Sequence, residues 1–322
     1  MKDEIVDFLD PKPNQVVLDM TFGSGGHTRA LLQRVPNLLC YCLDRDTESQ
    51  RYFDQTRDVF PTASLTHLHG CFSDLPRLCG EHALESNSVD MIVMDLGVSS
   101  QQLDAPGRGF SYTADIVNTL SAAELASVFK LYGEERFARK IANAIVDYRH
   151  TIGPLRMTKE LADIACTVVP FSAPTKDLSD EIKRQASKTH PAARVFQALR
   201  IFVNDELNEL CCGLELAQKL LKPGGKLAVV SFHSLEDRLV KWTFSGELRG
   251  MNQLALALAE KSVAGNSGFH KRQAILEELS LVHRPDTSQL WSTTIGPITP
   301  TEDEIAANSR CRAAKLRCAQ KK

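Results

Sequence analysis

The sequence predicts a doubly wound α/β fold interrupted by a block of helices. Three observations carry that prediction. Short apolar runs alternate with amphipathic stretches, a glycine-rich loop follows the first run, and roughly 120 residues of mostly helical pattern separate the fourth run from the fifth. Strand, helix, strand repetition implies parallel pairing with helices on both faces.

The elements follow in order. Val16 to Met20 (VVLDM) is a buried strand, followed by Gly23-Ser-Gly25-Gly26 and a helix from about His27 to Val35. Leu38 to Leu43 is a second strand ending at Asp44, Leu65 to His69 a third stopped by Gly70, and Val89 to Asp95 (VDMIVMD) a fourth. The Leu-Lys-Pro-Gly-Gly turn at 221–225 leads into a fifth strand, Lys226 to Phe232. Between the fourth and fifth lie helical patterns at Ala122–Leu131, Glu134–Arg149 and Lys159–Val169, and one long helix from about Ala192 to Leu221. Residues 1–105 and 199–322 are therefore expected to form one discontinuous domain, with 106–198 an inserted helical subdomain. Residues 244–300 read as a surface excursion.

Composition fits a folded globular chain. Of 322 residues, 43% are hydrophobic and 24% charged, which excludes disorder, collagen and coiled coil. No apolar run is long enough to span a membrane. The 9 cysteines lack CxxC or zinc-finger spacing and read as free thiols of a reducing compartment. With the 9 histidines they form no ligand cluster, so no metal is expected. Met1 leads directly into the acidic KDEIVDFLD, so no targeting peptide is visible.

The net charge of −2 is unevenly spread. Residues 1–120 hold 9 Lys+Arg against 17 Asp+Glu, or −8, leaving +6 for the remainder. The last eighteen residues carry Arg310, Arg312, Lys315, Arg317, Lys321 and Lys322 with no acid. A basic half beside an acidic half suits an anionic partner such as RNA, and this tail together with the inserted helices is expected to contact phosphate. The spacing of Ala-Ala-Lys-Leu-Arg also fits a packed amphipathic helical turn.

In an open α/β sheet, ligands bind beyond the carboxyl ends of the strands. The loop Asp19 to His27 sits there, and its glycines allow close backbone approach to a ligand. Asp44, 25 positions after Asp19, can accept two ribose hydroxyls or cap the next helix. The loop lacks the third glycine spacing of a dinucleotide site, which favours S-adenosylmethionine over NAD. Asp95 ends an apolar strand, where a carboxylate without a partner is costly. His233 and Asp237 follow the fifth strand and face either an acceptor or a structural network.

Seven ordered motifs narrow the reading: Asp19-Met-Thr-Phe-Gly-Ser-Gly-Gly-His-Thr28, Leu43-Asp-Arg-Asp46, Asp95-Leu-Gly-Val-Ser-Ser-Gln-Gln-Leu-Asp104, Arg108-Gly-Phe-Ser111, Tyr132-Gly-Glu-Glu-Arg136, Phe196-Gln-Ala-Leu-Arg200 and Ser231-Phe-His-Ser-Leu-Glu-Asp-Arg238. Together they resemble the small-subunit ribosomal RNA cytosine-N4 methyltransferase family, and the wording of several is similar to its animal mitochondrial branch. The resemblance implies a Rossmann-like class I methyltransferase sheet with an inserted helical subdomain. It also implies S-adenosyl-L-methionine as methyl donor and a cytidine of small-subunit rRNA, free or in the assembling small ribosomal subunit, as acceptor. A mitochondrial location follows from the same resemblance.

Carried over residue by residue, the resemblance puts cofactor binding on Gly25, Gly26, His27, Asp44, Phe72, Asp95 and Gln102. Asp95 and His233 are the expected catalytic residues, Asp95 as acceptor of an amine N–H. The sequence departs from the family pattern after Arg108-Gly-Phe-Ser111, where a G-P-L-D-M-R-M-D segment is missing. That absence supports a second reading, an RNA- or ribosome-binding protein of the same fold with impaired turnover.

Overall fold

The computed structural model describes residues 1–97, 110–169, 192–246 and 290–322. The chain divides into two compact units, Met1–Leu103 with Leu207–Lys322, and Asp104–Glu206. Among the described residues no helix is long and apolar enough to cross a membrane.

The first unit is built on a seven-stranded sheet. Its strands are β1 (Val16–Asp19), β2 (Leu39–Asp44), β3 (Ser64–His69), β4 (Val89–Asp95), β5 (Leu221–Ser231), β6 (Trp291–Ile298) and β7 (Lys315–Lys321). Their spatial order is β3-β2-β1-β4-β5-β7-β6. β1 to β5 run parallel, and β7 is antiparallel to both β5 and β6. The inner parallel strands β1 and β4 are nearly continuous buried apolar runs, as strands covered on both faces are, whereas β3 (SLTHLH) buries only Leu68. In β4, Val89, Met91, Ile92, Val93 and Met94 are all buried.

Four helices accompany the first four strands: α1 (Lys2–Leu9), α2 (Gly26–Arg34), α3 (Ser49–Val59) and α4 (Leu75–Glu81). Ile5 and Leu9 of α1 join Leu31 and Leu32 of α2 over Val17, Met91, Val93 and Ala228 in one core cluster. The chain order reverses between β2-β1 and β4, which opens a crevice at the carboxyl ends of β1 and β4.

The second unit is helical: α5 (Phe110–Thr119), α6 (Ala122–Gly133), α7 (Ala138–Thr151), α8 (Thr158–Val168) and α9 (Ala193–Asn204). Leu125, Phe129, Ile141, Ile145, Leu161, Val195 and Leu199 form its own core. Ser121 and Glu124 close a capping box at the start of α6. Gly133 ends α6, and a Cβ there would lie 2.6 Å from the Arg194 carbonyl, so only glycine lets α6 and α9 approach this closely.

Several expectations need correction. The long helix expected from Ala192 to Leu221 is two helices, α9 and α10 (Glu206–Leu220). They part at Asp205, whose φ of 53° is left-handed, and Arg200 bridges the break to Glu206 at 2.9 Å. The second unit runs to Glu206, whereas the boundary expected at 198/199 would cut α9. The helix expected from Glu134 begins at Ala138, because Glu134 takes a φ of 49° as the C-cap of α6.

The largest correction lies at the basic tail, which is strand rather than helix. Lys315–Lys321 is an inner strand, paired with β5 on one side and β6 on the other. Leu316, Cys318 and Ala319 are buried, while Lys315 and Arg317 bond Asp237 of α11 (Ser234–Ser245). Lys321 Nζ donates to the carbonyls of Gln218 and Leu221 at 2.7 Å each. These cations are engaged within the fold. β6 likewise falls inside the stretch expected to be a surface excursion, and Trp291 is buried against Phe244 with ring centroids 5.2 Å apart. Residues 247–289 lie outside the described residues.

Candidate active site

Asp19, the last residue of β1, is fully buried. Its Oδ1 accepts from Thr21 N at 3.1 Å and its Oδ2 from Thr28 Oγ1 at 2.6 Å. One carboxylate thus ties both ends of the glycine loop together. Burial pushes the Asp19 carboxyl above its ordinary range, against the Thr28 bond and the charge of His27.

The loop is then pinned to its neighbours. Met20 N donates to the Val93 carbonyl and Phe22 N to the Leu43 carbonyl, each at 2.9 Å. Gly25 has a φ of 78°, and a Cβ there would lie 2.8 Å from Phe22 Cζ. Glycine is required at that position by backbone and packing together. Gly26 is different: a Cβ there meets nothing within 4 Å. Nothing among the described residues requires glycine at 26, and its missing side chain keeps their side of the loop clear.

Asp44 closes the loop from β2. Its Oδ2 accepts from Gly23 N at 2.6 Å and its Oδ1 from Asp46 N at 2.7 Å. A carboxylate offers about four acceptor sites, so two such bonds leave capacity for hydroxyl donors. Burial raises the Asp44 carboxyl, with the Asp46 and Gly23 amides pulling the other way.

Asp95 stands at the crevice between β1 and β4. Its backbone N donates to Thr21 Oγ1 at 2.6 Å, and its Oδ2 lies 3.2 Å from His27 Nε2. The Asp95 side chain is 36% exposed. Burial alone would lower the His27 imidazole, but the Asp95 bond and the charges of Asp95 and Asp19 outweigh it and hold the ring above its ordinary pKa. His27 Nδ1 is buried with no hydrogen-bond partner among the described residues. A buried ring nitrogen without a partner is costly, and a polar atom of a bound molecule would relieve it.

Phe72 opens a short 3-10 turn, Phe72–Asp74, after β3. Its ring lies against Gly213 of α10, where a Cβ would come within 2.7 Å of Phe72 Cδ2. Glu209 of α10 fixes this turn by accepting from Ser73 N at 3.0 Å and Ser73 Oγ at 2.9 Å. Gln102 lies outside the described residues.

His233 follows β5 as the N-cap of α11. Its Nδ1 accepts from Glu236 N at 3.4 Å, and its Nε2 has a 3.1 Å ion-pair contact with Glu236 Oε1 that lacks hydrogen-bond geometry. Glu236 Oε2 returns bonds to Phe232 N and His233 N. Nδ1 therefore serves the capping turn, while Nε2 makes no hydrogen bond among the described residues.

The geometry brings Gly25, Gly26, His27, Asp44 and Asp95 around one loop and one crevice. Sequence reasoning did not single out Thr21, Thr28, Glu209 or the hub role of Asp19. Asp19 and Thr28 bracket the loop motif, so their spacing was the available signal. The reach of Glu209 to Ser73 spans 136 positions and left no local trace.

Known proteins supply independent findings. The profile of the MraW methylase family matches residues 1–264. The mouse (Mus musculus) 12S rRNA N(4)-cytidine methyltransferase METTL15 is 41% identical over 343 residues, covering 100% of this chain and 81% of that protein. The probable methyltransferase-like protein 15 homolog of Drosophila melanogaster is 37% identical, covering 99% and 90%. Ribosomal RNA small subunit methyltransferase H of Methylobacterium nodulans is 38% identical, covering 95% and 84%. The match to the mouse protein spans 343 positions against 322 residues here, so at least 21 positions of that relative face gaps in this chain.

Proposed function

The chain belongs to the MraW methylase family, and from that premise we propose that it methylates the N4 amine of a cytidine in small-subunit ribosomal RNA. Asp95 carries the reading. It ends the central strand β4 beside the glycine loop, with His27 on Oδ2 and no protein partner on Oδ1 among the described residues.

The residues present fit S-adenosylmethionine. Gly26 leaves the loop open, Asp44 keeps acceptor capacity for ribose hydroxyls, and the orphaned Nδ1 of His27 offers a polar contact. When bound, this cofactor supplies an electrophilic methyl group on a sulfonium.

The chain's own residues do the rest. An exocyclic cytosine amine is a weak nucleophile because its lone pair is delocalised into the ring. Asp95 Oδ1 accepts one amine N–H, which orients the nitrogen and offsets the positive charge that develops on it. His27 fixes the carboxylate by holding Oδ2. His233 shapes the turn after β5 through its cap on α11, and in this reading it does not touch the amine. The sheet unit holds the cofactor and the helical unit holds RNA. The mammalian relatives are named for 12S rRNA, which supports a mitochondrial location with the assembling small subunit as partner.

The test is to incubate the chain with small-subunit rRNA and isotopically labelled S-adenosylmethionine, then analyse nucleosides by mass spectrometry. Labelled N4-methylcytidine is the expected product. Label on another nucleoside would overturn the acceptor. Cofactor and RNA binding without transfer would favour the impaired binder.

A further inference from the structure

Helix α7 opens with residues that its own stability disfavours. The N-terminus of a helix is the positive end of its dipole and favours acids. α7 has no acid in its first turn and no side-chain cap at Phe137. It presents Arg136, Arg139 and Lys140 instead, all three exposed. Among the described residues of the helical unit, no other five-residue stretch holds three basic residues.

Among the described residues Arg136 and Arg139 make no ion pair or side-chain hydrogen bond, and Lys140 makes only a ring contact. Other cations of the unit are engaged: Arg149 donates to the Val117 carbonyl, Arg194 to the Glu134 carbonyl, and Arg200 pairs with Glu206. Arg136, Arg139 and Lys140 are in no ion pair among the described residues. The adjacent carboxylate, Glu135, is buried and turned to the backbone, where Oε1 accepts from Phe137 N at 2.8 Å. Lys140 Nζ stands 6.0 Å over the Phe137 ring. Exposed Asn143 follows one turn on, on the side of Arg139 and Lys140. The opposite face of α7 is anchored by Ala138, Ile141, Ala142 and Ile145, all buried. Two arginines without an ion pair among the described residues, and a lysine held only over a ring, are thus displayed at the exposed start of α7.

We infer that Arg136, Arg139 and Lys140 form a contact surface for the phosphate backbone of RNA, with Asn143 as an added donor. The inference rests on the RNA acceptor proposed above. Guanidinium and ammonium groups suit phosphate oxygens, and each neutralised phosphate releases counterions, which makes the contact measurable through salt.

The experiment measures binding of the full chain to a small-subunit rRNA fragment across a salt series. The variant Arg136→Gln/Arg139→Gln/Lys140→Gln is compared with Arg34→Gln/Arg57→Gln/Arg77→Gln, which removes three exposed arginines in surface ion pairs of the sheet unit. The first variant should bind at least about tenfold more weakly near 0.1 M salt, with the log–log salt slope reduced by about 2–3. Its S-adenosylmethionine affinity should be unchanged, and the control should keep the wild-type slope. A wild-type slope in the first variant, or an equal loss in the control, would overturn the surface while leaving the methyltransferase reading intact. A wild-type chain that does not bind the rRNA would overturn both.

Discussion

Carboxylates at one edge of one sheet are held here in two opposite ways. Asp19, Asp44 and Asp95 end β1, β2 and β4 and are held by backbone N–H groups, hydroxyls and a histidine. Asp237, just beyond β5, is clasped by Arg317 at 2.7 Å and Lys315 at 3.1 Å. Burial raises the first two carboxyls. Burial pushes Asp237 upward as well, yet the two cations outweigh it and hold that carboxyl below its ordinary range. A carboxylate met by lysine or arginine has its charge satisfied and serves to join strands. One held only by uncharged donors, as Asp44 is, keeps acceptor capacity for another partner.

Breaking the neutral side at its centre should have the largest effect. Asp95→Asn keeps the shape but swaps half of the acceptor pair for a donor. Methyl transfer should fall by about a hundredfold or more, with cofactor binding retained. A single-turnover assay decides it, and near-normal transfer would remove Asp95 from the chemistry.

Breaking the cationic side should instead cost stability. Asp237→Asn removes the negative charge and one of the two acceptor oxygens facing Arg317 and Lys315 and should lower unfolding free energy by about 1.5–3 kcal/mol, read from urea titration, with the cofactor dissociation constant unmoved. Asp44→Asn should do the reverse and weaken cofactor binding from several-fold to about a hundredfold. If both substitutions changed stability alone, the division between the two sets of carboxylates would collapse.

The two neighbouring loop glycines sharpen the contrast further. Gly25→Ala forces a side chain into left-handed backbone and against Phe22, costing about 1–2 kcal/mol. Gly26→Ala should stay within about 0.5 kcal/mol and show itself only as weaker cofactor binding. Thermal unfolding with and without S-adenosylmethionine separates the two.

The smallest effect is a dependence on pH. The folded-state pKa of His27 is raised above 6.5. Its contribution to stability is therefore complete below 6.5 and is lost as pH rises through the folded value. Asp237 has the opposite sign: its contribution is present above 3.8 and lost as pH falls through its lowered folded pKa. His27→Gln should abolish the alkaline loss, and Asp237→Asn the acid one, in denaturation measured across pH.

The parallel half of the sheet was legible because buried parallel strands are continuous apolar runs, as in VDMIVMD. Helix α3 was not, because its buried positions are Ser49, Phe53 and Thr56, and two polar residues break the apolar stripe. β7 was misread although Lys315-Leu316-Arg317-Cys318 alternates with period two. Its cations suggested a solvated surface, and their acceptor Asp237 lies 80 positions before Arg317. The break at Asp205 carries neither Gly nor Pro to announce it. At the site, glycine spacing pointed to the loop and strand ends pointed to Asp44 and Asp95. The capping role of His233 depends on a backbone turn that residue identity alone does not disclose.

The strand order carries a consequence for biogenesis. β5 ends at Ser231 and its neighbour β7 begins at Lys315, so the lateral hydrogen-bonding groups of β5 wait more than 80 residues of synthesis for their partner. During that interval an apolar strand presents an open edge, the kind of template on which chains join one another. A premature stop between Ser245 and Lys315 would leave that edge permanently bare while sparing β1 to β5 and the glycine loop. Such a product is expected to be lost to aggregation or proteolysis, even though every residue assigned here to cofactor binding or methyl transfer is still encoded.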